Sequence, residues 1–545
     1  MAIESKGAYS INFVFNDFHL PEGAELYISN EEGDMLYGPV TSKVNTENGH
    51  FLTDLIKGDK VTIYLFEPSN KRNESQLTIK RVVHAYENMF SDMAYGQIGS
   101  SGNCNNNVAC FPAWSKESDA VALVLLSNGA ELCSGSLLMT ANQSFRPYFL
   151  SAFHCIDTDI PKGSLSSSEI SNAENWMFKF QYKMSSCSGG YATSGVTYNR
   201  ATFRAAWNNT DFALMELRNS PAGDSRFSWL GWDRSGNAPT AGTGIHHPSG
   251  DVMKISFDND LITETAAGST NSGTTHWFVD IDNGTLEHGS SGSPLFNPQK
   301  KVIGQLHNGY PGCNSSKQFW YGCFHRSWTG GGTNSTRLSN WLDPNGSGVI
   351  TTNTSKSPTV SGPSSVCDQA TYTVENLPAG AIVEWSVSNP NVATISNNGV
   401  LQVTNQTFAL TNIQANIFTG GENPYTIRKE RVMTGQPKFE IQPLGYSGSN
   451  FASFFLTPQG EYGDLQSIPL NYRWSYTKID GSGYTLIGDY QNTSFLNIEP
   501  VVTFPGPGTY MITVQITGYP CYIPLVRYKH SCGSNFFTLS PNPAT

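Results

Sequence analysis

The chain has 545 residues, with 33 Lys+Arg against 44 Asp+Glu and a formal net charge of −11. That length excludes a single ordinary core and leads us to expect about three or four domains. An acidic balance with no basic block argues against nucleic acid or anionic membrane as partners, and no apolar run is long enough to span a bilayer. Charged residues make up only 14%, where about 25% is usual, while 52 Gly and 29 Pro suit turn-rich β architecture. The start, Met1-Ala2 followed by "IESKGAYSINFVF", lacks the basic stretch and apolar core of a leader. Ten cysteines with no CxxC pairs at zinc-finger spacing favour disulfides over metal. We therefore expect an exported protein whose leader precedes this numbering.

In chain order, "AYSINFVFNDF", "AELYIS" and "KVTIYLF" read as strands between turn signals such as "EEGD", and residues 1–98 form an expected β-sandwich. The polar segment "GQIGSSGNCNNN" marks a boundary. Residues 99–347 hold most of the cysteines and histidines and show no long helical periodicity; one short helix is expected at "TRLSNWLDP". The Gly, Ser, Thr and Pro-rich stretch 348–362 reads as a linker. Residues 363–437 and 438–538, with an Asn-Gly turn in "ISNNGVLQV", have the size of two immunoglobulin-like sandwiches. Residues 539–545 are a short tail.

The chemistry concentrates in the middle block. In "EHGSSGSPLF", Ser291 sits among small residues, and Gly289 and Gly292 permit a tight turn whose amides converge on one point. Ser291 is the candidate nucleophile, and the amides of Gly289 and Ser291 are the candidate oxyanion donors. A serine needs a base and an acid behind it. His154 sits directly beside Cys155, where a disulfide would fix the imidazole's backbone, although a surface histidine next to a structural cystine reads equally well. Asp211 precedes the apolar run Phe212-Ala213-Leu214-Met215, where its carboxylate can point into a cleft, or it is an ordinary turn residue. The pair His246-His247 is read as structural, because adjacent strand residues face opposite ways.

In "CSGSLLM", "YFLSAFHC", "DFALMEL", "IHHPSGDVMKIS", "GSSGSPLF" and "VIGQLHNG", residues 99–345 resemble the bacterial lysyl endopeptidase family of chymotrypsin-fold serine proteases. The resemblance implies an all-β chain: a chymotrypsin-like double β-barrel flanked by an N-terminal β-sandwich and two C-terminal Ig-like β-sandwiches. It places the triad on His154, Asp211 and Ser291, pairs Cys104–Cys313, Cys110–Cys187 and Cys133–Cys155, and calls for no metal or cofactor. Substrates would be proteins or peptides. Residues 1–98 resemble a pro-domain that inhibits or assists folding in cis, with a permanently attached accessory sandwich as the alternative. The tail modules resemble Ig-like and PKD-like domains, and "LSPNPAT" the start of a type IX sorting signal.

The expected substrate pocket is Glu287, His307 and Phe319. It departs from the family where a lysine-binding aspartate would stand: "CNSSKQFWYGC" contains no acid, and Phe319 falls on that position. Glu287 matches an acidic position of the family and keeps a basic P1 residue slightly ahead of a hydrophobic one. The pairing of Cys323, Cys367, Cys521 and Cys532 stays open. The competing reading is a surface adhesin or polymer-binding protein with a vestigial protease domain.

Overall fold

The computed structural model describes residues 1–46, 49–85, 101–160, 162–268, 274–405, 408–420, 424–435, 439–444, 451–458, 470–479, 484–493, 500–505, 508–517 and 525–532. Residue 99, the tail 539–545 and Cys521 lie outside them. The architecture is all-β, in two compact units.

The first unit runs from Met1 to Pro358 with two short later segments. Its N-terminal part is a sandwich of two four-stranded sheets, built on Ser10–His19, Glu25–Asn30, Lys60–Phe66 and Gln76–His84. The alternation visible in "ELYISN" buries every second residue. Leu26 and Ile28 meet Ile11, Phe13, Phe15 and Phe18 in one core.

The next part carries two larger sheets. The first has seven strands: β1 (Val121–Leu125), β2 (Leu132–Leu137), β3 (Tyr148–Ala152), β4 (Met177–Phe180), β5 (Val196–Asn199), β6 (Ala201–Trp207) and β7 (Phe212–Leu217), in the order β5-β4-β1-β2-β3-β7-β6. The second has eight: the short strand Asn106–Asn107 with β8 (Gly242–His246), β9 (Lys254–Asp258), β10 (Thr263–Thr265), β11 (His276–Asp280), β12 (Pro294–Phe296), β13 (Val302–Gly309) and β14 (Gln318–Cys323). Within each sheet every pairing is antiparallel. Strands such as "VALVL" and "FALMEL" are buried on both faces, which explains their unbroken apolar runs.

The expected helix appears as Ser339–Leu342, and its C-cap Asp343 is followed by Pro344. Short helices also form at Ser115–Ser118, Ser167–Ala173 and Phe324–Thr329. The second of these starts at a capping box, Ser166 with Glu169. The linker reading of 348–362 is corrected. Ser355–Lys356 pairs with Ser228–Trp229, and the Thr352 and Thr354 hydroxyls accept from the amides of Trp232 and Gly231. These polar residues are edge partners of the stretch 228–232, and Met1–Pro358 falls in one unit.

The second unit takes most of residues 359–545. A hairpin joins Ala393–Ile395 to Val400–Val403 across the expected Asn-Gly turn. Farther on, a three-stranded and a four-stranded sheet share a core of Phe454, Tyr472, Trp474, Tyr510, Ile512 and Val514. Trp474 is a core residue.

Candidate active site

The three disulfides of the first unit are Cys104–Cys313, Cys110–Cys187 and Cys133–Cys155, the pairing the resemblance implied. Cys367 is also disulfide-bonded, and Cys323 is free and buried. The third bridge ties β2 to the single 3₁₀ turn Phe153–Cys155 at the end of β3. His154 therefore leaves the sheet on a short, cross-linked stretch. Breaking this bridge with Cys133→Ala/Cys155→Ala removes a link across 22 residues. The expected cost is about 3 kcal/mol in a denaturant titration, with a larger proportional loss of activity.

Asp211 stands at a left-handed position, φ 57°, between the 3₁₀ turn Asn208–Thr210 and β7. β3 and β7 pair Ala152 with Phe212, which brings the two residues just beyond them together. The Asp211 carboxylate accepts from the His154 backbone amide at 3.0 Å and from the ring Nδ1 at 2.8 Å. Its side chain is 1% exposed, against 37% for His154. The second sheet fixes the turn from the other side. Gln305 Nε2 donates to the Thr210 carbonyl, and a Cβ on Gly322 would lie 1.8 Å from that oxygen, so only glycine fits there.

Ser291 sits on the facing lip. Gly289 and Gly292 both have positive φ, 87° and 82°. A Cβ on Gly292 would stand 2.5 Å from the Ser134 carbonyl and from Ser151 Oγ. The turn is held by the Ser134 amide donating to the Ser291 carbonyl and by Ser134 Oγ donating to the Gly289 carbonyl. Among the described residues, the amides of Gly289 and Ser291 have no internal acceptor. His154, Gly289 and Ser291 line one cavity of about 570 Å³, together with Leu126, Glu131, Leu132, Lys162, Ser249 and His288. Sequence reasoning missed Ser134; the "CSGS" stretch carried that signal in its glycine, since a Cβ on Gly135 would lie 2.4 Å from the Leu150 carbonyl.

Burial works against a charged His154, but the Asp211 carboxylate and its hydrogen bond outweigh it and raise the pKa above 6.5. A base must be neutral to accept a proton. The acid limb of kcat/KM is therefore expected above pH 6.5, with activity falling as pH drops through it; a limb well below 6.5 contradicts the His154–Asp211 pairing.

The expected pocket residues fall elsewhere. Glu287 Oε1 accepts from the Gly102 amide at 2.8 Å and from Asn105 Nδ2 at 2.7 Å, and Oε2 accepts from Ser249 Oγ at 2.9 Å. Both oxygens are engaged within the chain. Phe319 is 2% exposed in the apolar cluster with Trp277, Leu286 and Leu306. His307 hydrogen-bonds His276 at 2.9 Å and has Nε2 3.9 Å from Asp211 Oδ1, so it belongs behind the His154–Asp211 pair. None of the three lines the cavity that holds His154 and Ser291. Burial, followed by the charge of His307, lowers the His276 pKa to about 4, and burial lowers that of His307. His276 was missed because "HWFVD" gives no sign of its neighbour. His246 is structural, as read: its ring joins Ser290 Oγ and Ser256 Oγ, and burial lowers its pKa to about 3.

Three groups of side chains among the described residues are close enough to hold a metal: His154, Asp211 and His307; Glu264, Cys323 and His325; Asp258, Asp260 and Asp282. In the second, His325 Nε2 already lies 2.6 Å from Glu264 Oε1, and burial pushes the Cys323 thiol well up. In the third, Asp258 and Asp282 carboxylates accept from backbone amides.

Residues 98–323 match the family model described as "Lysyl endopeptidase, C-terminal domain". Karilysin of Tannerella forsythia is 33% identical over 204 residues, 34% of this chain and 41% of that protein. The lysyl endopeptidase of Pseudomonas aeruginosa is 27% identical over 281 residues, 49% and 57% of the two chains. The chain thus spans about half the length of the relatives it matches.

Proposed function

We propose that the protein is an exported serine endopeptidase, with Ser291 as nucleophile, His154 as general base and Asp211 as its orienting acid. The single observation that carries this is one cavity with the hydrogen-bonded His154–Asp211 pair on one side and the glycine-flanked Ser291 turn on the other. Ser291 Oγ attacks the scissile carbonyl carbon while His154 Nε2 takes the hydroxyl proton. The free amides of Gly289 and Ser291 receive the oxyanion, a contact worth about 2.7–4 kcal/mol per donor in the barrier. Collapse breaks the C–N bond, and the proton passes from His154 to the leaving amine. Water then repeats the sequence on the acyl-enzyme, with His154 again as base. Asp211 accepts from Nδ1 throughout and keeps Nε2 facing the serine.

The P1 preference is not restricted to lysine. A buried ammonium needs a free carboxylate or leaves an unpaired charge. Glu287 is occupied by Gly102, Asn105 and Ser249, and Phe319 offers no charge. Residues 1–98 act as a prosegment that assists folding in cis, and the tail modules act as spacers. The test is a fluorophosphonate probe followed by peptide mapping: the label is expected on Ser291 and absent from Ser290 and Ser293. An unlabelled protein would favour the adhesin reading. In a diverse peptide library, P1 cuts spread beyond Lys are expected; cuts confined to Lys would overturn the specificity statement.

A further inference from the structure

The N-terminal sandwich is seated on the first sheet of the protease part, against the hairpin β1–β2. Leu125 and Met177 of that sheet form one buried cluster with Val14, Leu52 and Leu55 of the sandwich, and Val83 and Leu132 pack on it. Beside the cluster, Lys179 Nζ lies 2.8 Å from Asp54 Oδ2, with both side chains under 9% exposed. Such a pair is costly to separate, because each partner would be left as an uncompensated charge near an apolar surface. The hairpin tip is gripped as well. Asn12 Nδ2 donates to the Gly129 carbonyl at 3.2 Å, and Arg81 Nη1 donates to the Asn128 carbonyl at 3.0 Å. At Gly129, with φ 73°, a Cβ would come within 2.8 Å of Asn12 Nδ2 and 3.0 Å of Val83.

The other side of the same hairpin is a wall of the cleft. Leu126, Ala130, Glu131 and Leu132 face the cavity that contains His154 and Ser291, and every described residue lining that cavity lies between 126 and 291. Among the described residues, none of the sandwich enters it. The hairpin continues into Cys133, which is bonded to Cys155 beside His154. On the reading above, His154 hands its proton to the leaving amine, so this wall borders the leaving-group side of the substrate.

We propose that residues 1–85 are a retained brace: they stay docked after any cleavage in the connecting stretch, and they hold the hairpin that selects the residues after the scissile bond. This rests on the protease reading for its second half only. A domain that merely blocked the cleft would occupy it, whereas this one grips the back of one wall. A surface loop borders substrate well only when its freedom is removed elsewhere, and here the tip is the anchored point.

The test uses the full chain with a recognition sequence for a specific protease placed between residues 86 and 100. After cutting, the two fragments of the otherwise native chain are expected to co-elute on gel filtration; separation would overturn the proposal. In the Gly129→Ala chain cut in the same way, the sandwich is expected to bind less tightly and to separate at a lower denaturant concentration than in the cut native chain, since the new methyl crowds Asn12 Nδ2 and Val83 at the hairpin tip; unchanged docking would count against the grip on the tip. Lys179→Met leaves the Asp54 carboxylate buried without its partner, so the cut sandwich is expected to separate more readily than in the native chain; docking as tight as before would count against this interface. Loss of selectivity at the positions after the scissile bond, with P1 preference unchanged, is expected once the sandwich is gone. An identical cleavage profile before and after its removal would overturn the brace. Elution does not depend on catalysis, and Ser291 labelling does, so failure of the docking and failure of the protease reading are told apart.

Discussion

Ser291→Ala is expected to lower kcat by about a million-fold, to abolish fluorophosphonate labelling, and to leave the fold intact. The substitution removes one oxygen from a partly exposed side chain. The turn survives because its supports are backbone groups and neighbours: the Ser291 carbonyl accepts from Ser134, the Gly292 amide donates to the Leu306 carbonyl, and Ser290 Oγ bonds His246. A residual acceleration of roughly 10³–10⁴-fold over water should remain, supplied by the oxyanion amides and by binding. Undiminished turnover in the purified variant would sink the assignment, and a collapsed circular dichroism spectrum would show instead that Ser291 is structural.

Asp211→Asn should cost about 10⁴-fold in kcat with little change in KM. The carboxylate accepts from the His154 amide and from its Nδ1 at once, in a site where it is 1% exposed. An asparagine of the same shape has one acceptor oxygen. Its NH₂ would face either the backbone amide or the ring, and a ring facing NH₂ presents Nδ1 as acceptor and carries its proton on Nε2, where it cannot take one from Ser291. The raised His154 pKa should fall with the loss of the Asp211 charge, moving the acid limb of the pH profile down. An unchanged limb would mean that another acid holds the ring, and His307, 3.9 Å from Asp211 Oδ1, marks where that network continues.

The candidate catalytic set was legible because each member sits in a local pattern with a local cause. Gly289 and Gly292 flank Ser291 because the turn needs positive φ, Cys155 adjoins His154 because the bridge holds that turn, and Asp211 precedes a buried strand. The partners of the expected pocket residues were not legible. Glu287 looked available in sequence, yet its partners Gly102, Asn105 and Ser249 stand 185, 182 and 38 residues away. His276 and His307, 31 residues apart, meet only through the separate pairing of β11 and β13 with β14. The stretch 348–358 failed as a linker for a related reason: Thr and Ser content reports solvation in isolation, and Trp232 and Gly231 supply backbone partners that no local rule anticipates.

By itself, then, the sequence determined the all-β class, the alternating and fully buried strands and the glycine-flanked turn around the candidate Ser291, because periodicity and backbone conformation are set by near neighbours. The tertiary structure alone decided which acids remain free, where the N-terminal sandwich sits, and that the hairpin Leu126–Glu131 is gripped on one side and faces the cleft on the other. Those properties depend on which groups satisfy one another across tens to hundreds of residues. A hydrogen bond or a buried ion pair leaves no periodic mark in the chain that forms it.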